Sequence, residues 1–246
     1  MLHGMVDSVK ACLKEELRMD VISNNLANSS VCGYKKYRIS FQDALNAESG
    51  GSEPAPVDSS PGGNGLVRTE IDFTQGDFRS TGNELDLAIH GEGFFKVQTA
   101  EGVRYTRKGN FTLDTQGFLV TQNGDRVLGQ GGPIQIPGKQ IEINGMGGIT
   151  ADGEEAGTLD LIAFDDTVKL VADGKAMFAN PSGEPEVDLP FISRVKQGAI
   201  ELPNVEIAEE MVSMIHCMRA FESYQKVIRI LDEVNQRAIN DVSRIH

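Results

Sequence analysis

The sequence predicts an α+β protein: long N- and C-terminal helices that pair as a coiled coil, with a central antiparallel β domain of sandwich or barrel type. Three observations carry this. Apolar residues recur at helical spacing only near the two ends of the chain. Between them, short apolar runs alternate with Gly-bearing turns, the punctuation of antiparallel strands. The charge is also partitioned. The formal net charge is −13, from 23 basic and 36 acidic residues, yet residues 1–43 hold six basic against five acidic and residues 204–246 hold five against seven. The middle therefore carries almost all of the negative charge.

Met5, Val9, Leu13, Leu17 and Val21 recur at i+4, with Leu2 and Cys12 beside them, which is the apolar row of an amphipathic helix. The asparagine-rich run Asn24-Asn25-Leu26-Ala27-Asn28 is a stop signal, so the helix is expected to span about residues 3–27. At the other end Pro203 and Asn204 read as a stop and an N-cap, followed by Glu206, Glu209 and Glu210, where the helix dipole favours acids. A 3–4 alternation then runs through Ile207, Glu210, Met214, Cys217, Phe221, Tyr224, Ile228, Leu231, Asn235, Ala238 and Val242. Only Glu210 and Asn235 in that row are polar, so it is a coiled-coil seam in a helix of about 40 residues, roughly 60 Å long. Met211, Ile215 and Met218 widen it. Such stripes also occur on ordinary globular helices. The length without a breaker, and the matching helix at the other terminus, favour pairing of the two ends.

The chain thus divides into a discontinuous helical assembly domain, 1–43 plus 204–246, and an acidic β domain, 66–203. A linker rich in Gly, Ser and Pro joins them at 44–65. Strands are expected at Phe94–Thr99, Val103–Arg107, Asn110–Asp114, Phe118–Thr121, Arg126–Leu128, Ile134–Ile136, Gln140–Ile143 and Leu159–Phe164. The stretch from Gly174 to Pro190 shows no clear strand pattern.

No catalytic, cofactor or metal site is expected. His3, His90, His216 and His246 are scattered without metal-ligand spacing, and Gly145-Met-Gly-Gly148 lacks the Lys-Ser/Thr of a phosphate loop. His90, between Ile89 and Gly91, reads as part of a turn more readily than as a base. Adjacent acids such as Asp165-Asp166 point to opposite faces of a strand. Net acidity argues against nucleic acid as a partner, and no apolar run is long enough for membrane insertion. The N-terminus lacks the basic-then-apolar pattern of a cleaved signal. The odd cysteine count (Cys12, Cys32, Cys217) excludes a framework in which every cysteine is paired within the chain. Two long apolar helix faces cannot fully bury one another, which leaves surface for neighbours; head-to-tail contacts that do not close generate filaments.

Several ordered motifs carry a family resemblance. Met19-Asp-Val-Ile-Ser-Asn24-Asn25-Leu26-Ala27-Asn28, Gly33-Tyr-Lys-Lys36 and Phe41-Gln-Asp43 form the first group. The second comprises Asp72-Phe-Thr-Gln-Gly76, Thr81-Gly82-Asn83-Glu84-Leu85-Asp86-Leu87-Ala88-Ile89, Gly91-Glu-Gly93-Phe94-Phe95 and Tyr105-Thr106-Arg107. The third holds Gln197-Gly-Ala-Ile-Glu201, Asn204-Val205 and Arg219-Ala-Phe-Glu222. Together they resemble bacterial flagellar axial proteins of the rod and hook class. The resemblance implies a structural, non-enzymatic subunit of the basal-body rod, polymerising through its terminal helices into the axial drive shaft that transmits torque. The implied partners are other copies of the chain, neighbouring rod proteins and the flagellar type III export apparatus. The implied location is the rod crossing the periplasm, reached without a cleaved signal. Within the class the short 44–70 segment resembles the proximal-rod type more than the distal-rod or hook type. A β-sandwich binding module or wall-acting enzyme, with helices that merely close the domain, is the alternative that the residues alone leave open.

Overall fold

The computed structural model describes residues 2–40, 68–190 and 192–243. The expected linker 44–65, the Phe41-Gln-Asp43 motif and His246 lie outside the described residues, as do the side chains of His3, Ala238 and Val242. The chain forms two compact units, each discontinuous in sequence. One comprises residues 1–27, 37–71 and 206–246, the other 28–36 and 72–205.

The first unit holds helix α1, Leu2–Ala27, and helix α2, Ile207–Ser243, with an antiparallel ladder between Tyr37–Ser40 and Arg68–Ile71. The two helices pack against each other. Asn25 of α1 reaches Glu210 of α2, and Glu15 reaches Cys217. As α1 descends α2 climbs, so the helices are antiparallel. All predicted α2 seam residues from Glu210 to Asn235 are half-buried or buried, whereas Ile207 is exposed. On α1 the covered face is instead Met5, Ser8, Cys12, Glu15, Met19, Ile22 and Leu26. Val9, Leu13 and Leu17 of the predicted i+4 row are exposed, while Val21 is half-buried. Steps of four advance 400°, so such a row drifts about 40° per step away from any fixed face, and a 3–4 alternation stays on it.

The N-cap reading of Asn204 is corrected. The Glu210 N–H donates to the Glu206 carbonyl (3.0 Å), so the helix starts after Glu206, and Asn204 bonds elsewhere. α1 ends at Ala27, within the expected asparagine-rich run, although Asn25 itself is no cap. It is buried inside the last turns, where its side chain accepts from the Tyr37 N–H (2.9 Å) and donates to the Tyr37 carbonyl (3.0 Å). A side-chain amide that pairs both ways with one residue acts as a strand partner for the incoming chain.

The second unit is antiparallel throughout its described ladders. Its main sheet runs in the order 171–172, 177–179, 102–106, 94–99, 126–129, 119–120, 112–113. Leu161–Ala163 pairs with the start of Phe94–Thr99. A three-stranded sheet, 141–143, 148–151 and 154–158, and two ladders, 87–90 with 194–197 and 78–80 with 199–201, complete it. The expected 94–99/103–107 hairpin is present with register Phe95↔Thr106. Ile134–Ile136 is not a strand; it makes one bridge, Phe118↔Gln135, although Ile134 and Ile136 are buried. Two strands lie in the 174–190 stretch, Met177–Ala179 and Val187–Asp188.

Phe94 and Phe95 show why strict alternation fails here. Both are buried, on opposite faces. Phe95 joins the aliphatic core with Val97, Leu119, Val127 and Ile149, and meets Phe111 edge-on at 5.1 Å. Phe94 faces an aromatic cluster of Phe73, Phe164 and Phe178.

Candidate functional site: a buried polar knot and exposed helix faces

Motifs from all parts of the second unit converge on one buried carboxylate. Glu201 is fully buried, as is Lys35, and their Oε1 and Nζ lie 2.6 Å apart. Glu201 Oε1 also accepts from the Gly76 N–H (3.1 Å), and Oε2 accepts from Arg107 Nη1 (3.3 Å). Lys35 donates further to the Thr74 carbonyl (2.7 Å), and Arg107 to the carbonyls of Ile89 (3.0 Å) and Gly91 (2.6 Å). The Arg107 guanidinium lies 5.5 Å from the Phe94 ring centre, and its Nε is buried without an acceptor. Burial pulls the Lys35 ammonium below its ordinary pKa, against an upward pull from Glu201; the same opposition acts on Arg107.

Backbone approaches close the knot. The Gly33 N–H donates to the Glu201 carbonyl (2.9 Å). Gly33 has φ +67°, and a Cβ there would stand 2.4 Å from the Lys108 nitrogen, so only glycine fits. A Cβ on Gly76 would stand 2.0 Å from the Leu202 oxygen. Asn204 ties the rim: its Oδ1 accepts from the Lys36 N–H (2.8 Å) and its Nδ2 donates to the Asp72 carbonyl (2.8 Å). Lys35 and Glu201 did not stand out from composition or spacing. Their signal was only that they sit inside the quoted motifs.

The remaining motif residues have structural places. The Thr81 and Gly82 N–H groups donate to the Gly198 carbonyl, and Asn83 Nδ2 donates to Asp86. The Asp86 carbonyl accepts from the Gly198 N–H. Ala88 and Ile89 are buried strand residues, Gly91 and Gly93 form the turn into Phe94, and Thr106 Oγ1 donates to the Ala176 carbonyl. Tyr105 donates to Glu186 (2.7 Å), and burial together with that carboxylate raises its pKa. Val205 is half-buried, Asn24 and Ala27 are exposed, and the Asn28 carbonyl accepts from the Val31 N–H. His90 is exposed and stacked on Phe78 at 5.7 Å. Among the described residues no His, Cys, Asp and Glu side chains group as metal ligands, and no helix is long and apolar enough to cross a membrane.

The first unit presents a different feature. Val6, Val9, Leu13 and Leu17 on α1 remain exposed, as do Ile207, Met211, Ile215 and Met218, then Val227, Ile230 and Val234, on α2. α1 therefore carries one further apolar row that its partner does not cover, and α2 carries two, residues 207–218 and 227–234, on different sides of its seam.

Three family models match the chain: Flagella basal body rod protein at residues 11–35, Flagellar hook protein FlgE/F/G D1 domain at 88–151, and Flagellar basal body rod FlgEFG protein C-terminal at 196–241. The chain is 32% identical to the flagellar basal-body rod protein FlgG of Bacillus subtilis, covering 98% of this chain and 99% of the relative. It is 33% identical to the rod protein FlgF of Caulobacter vibrioides over 95% and 94%. With the flagellar hook-basal body complex protein FlhO of Bacillus subtilis it shares 29% over the full length of both. With motifs, fold and full-length relatives in agreement, the chain belongs to the FlgE/F/G family of flagellar basal-body rod proteins, a structural family and not an enzymatic one.

Proposed function

We propose that this chain is a repeating subunit of the basal-body rod, polymerising through its terminal helices to build the axial shaft that transmits torque. The observation that carries this is the apolar surface of α1 and α2 that the partner helix leaves exposed. Fully burying a large apolar side chain is worth about 1.5–3 kcal/mol, so covering the exposed half of the eleven named releases roughly 8–16 kcal/mol. Ordering a subunit costs about 4–15 kcal/mol. Gain and cost are of similar size, so a subunit is held only where its neighbours together cover these residues, which is the balance a cooperative polymer needs. In this reading α1 and α2 continue as coiled coils, residues 1–43 and 204–246 form the assembly domain, and 66–203 an acidic domain of sandwich or barrel type. Acidic solvent-facing surfaces discourage lateral aggregation.

The partners are further copies and neighbouring rod proteins. Delivery is through the flagellar type III apparatus, to a rod crossing the periplasm. Within the family we favour the proximal-rod type. Alignment with the FlgF relative runs over 242 positions, whereas alignment with FlgG of Bacillus subtilis runs over 269, more than the 246 residues of this chain. The FlgG pairing therefore needs positions this chain lacks. Imaging of basal bodies carrying a tagged copy separates the two: density at the outer end of the rod overturns the proximal assignment.

The test of assembly is Leu13→Asp together with Ile215→Asp. Both residues are exposed in the single chain, so the variant keeps the melting temperature of the monomer and loses incorporation and motility. Normal motility in that variant defeats the reading.

A further inference from the structure

The polar knot does more than its contribution to packing requires. A buried ion cluster is often replaceable by apolar residues of similar volume at no loss of stability, so stability alone does not account for burying two cations on one carboxylate. Position does. The chain enters the second unit at residue 28, leaves it after residue 36, returns at residue 72 and leaves again after residue 205; the last three of these crossings adjoin the knot. The segments that make these crossings, 31–36, 72–76 and 199–204, are the ones the knot ties. Lys35, the Gly76 N–H and Arg107 all meet the Glu201 carboxylate, Gly33 bonds its peptide oxygen, and Asn204 bridges Lys36 to Asp72. Each segment takes its charge or hydrogen-bond partner from another, and none of the buried charges is compensated within its own segment.

We propose that Lys35, Arg107 and Glu201, with Asn204 at the rim, form a clamp that makes these three crossings open and close as one. The segments that leave for Tyr37–Ser40, return from Arg68–Ile71 and lead to α2 are then held or released together, so force carried along the chain at these crossings reaches the β unit through the clamp. That mechanical consequence rests on the filament reading; the clamp itself is a property of the isolated chain and is tested there. Leu13→Asp and Ile215→Asp leave the clamp intact, so the two proposals fail separately.

The experiment is hydrogen exchange with mass spectrometry on the full-length monomer, comparing wild type with Lys35→Met and Glu201→Gln. Lys35→Met alters only the first crossing directly. The clamp requires it to speed exchange at least tenfold in 31–36, 72–76 and 199–204 alike, with strands 94–99 and 102–106 unchanged. Glu201→Gln is expected to speed the three segments by a larger factor still, beyond the acceleration that its loss of global stability brings to 94–106. An effect of Lys35→Met confined to 31–36 means that the crossings open singly and overturns the clamp. Equal acceleration in 94–106 reduces the cluster to general stability and also overturns it. Should Glu201→Gln prove insoluble, Lys35→Met alone decides, because it leaves Arg107 paired with Glu201.

Discussion

Glu201 is the residue on which most depends, because Lys35, the Gly76 N–H and Arg107, from three segments, all donate to its carboxylate. Replacing it with glutamine leaves two buried cations facing a neutral amide. Breaking a buried pair in this way costs about 3–5 kcal/mol, read as a fall in the urea midpoint of the full chain; a loss under 1 kcal/mol would mean that water reaches the knot. Thiol chemistry offers a second check. Cys217 is buried and its thiol donates to Glu15, and burial with that carboxylate pushes its pKa up to about 11. At pH 8 limited alkylation should therefore modify Cys12 and Cys32 before Cys217, with mass spectrometry reading the order. Early labelling of Cys217 would show that α1 and α2 separate in the monomer. Glu186 makes a pH prediction. Burial raises its pKa, but bonds from Lys96 and Tyr105 outweigh this and hold it below its ordinary 4.5. A depressed carboxylate stabilises the fold above its unfolded pKa and loses that contribution as pH falls through the folded value. Glu186→Gln should thus flatten the acid limb of stability below pH 4.5 and leave the slope at neutral pH unchanged.

At the scale of elements, the covered and uncovered faces of each terminal helix have separate roles and separate tests. Leu231 lies half-buried in the α2 seam, whereas Ile230 beside it is exposed. Leu231→Asp should destabilise the helix pair by about 1–3 kcal/mol and lower helicity by circular dichroism. Ile230→Asp should leave both unchanged. An equal effect of the two would mean that the seam is not the packed face. The spacing on α2 was legible in the sequence because a 3–4 alternation marks one constant face. On α1 the i+4 row drew the eye to Val9, Leu13 and Leu17, since small and polar residues such as Ser8, Cys12 and Glu15 occupy the face that packs. A narrow helix–helix seam tolerates these, so hydrophobicity alone pointed to the wider, uncovered face. Among the strands, 94–99 and 102–106 were readable from a glycine turn between apolar runs. Leu87–His90 and Met177–Ala179 were not, because burial on both faces erases alternation.

For the whole molecule, the charge of −13 makes self-repulsion a term in stability. Raising salt from about 20 to 150 mM, which shortens the screening length to ~8 Å, should raise the melting temperature. A fall would mean that the surface ion pairs of Lys96, Arg104 and Lys169 outweigh the net repulsion. The sequence by itself determined that the ends are helical, that the middle is antiparallel β, and which family the chain resembles, because periodicity and collinear motifs are local or ordered properties of the chain. Only the tertiary structure decided what the motif residues do. Asn204 and the asparagine run around Asn25 read as helix-end signals, yet Asn204 and Asn25 are backbone bridges, and Lys35 and Glu201, 166 residues apart and marked only by their motifs, are a buried pair. A polar side chain carries no mark of its partner. Whether it caps, solvates or ties is settled by which distant segment folding brings within hydrogen-bond reach, and by how much water is excluded there.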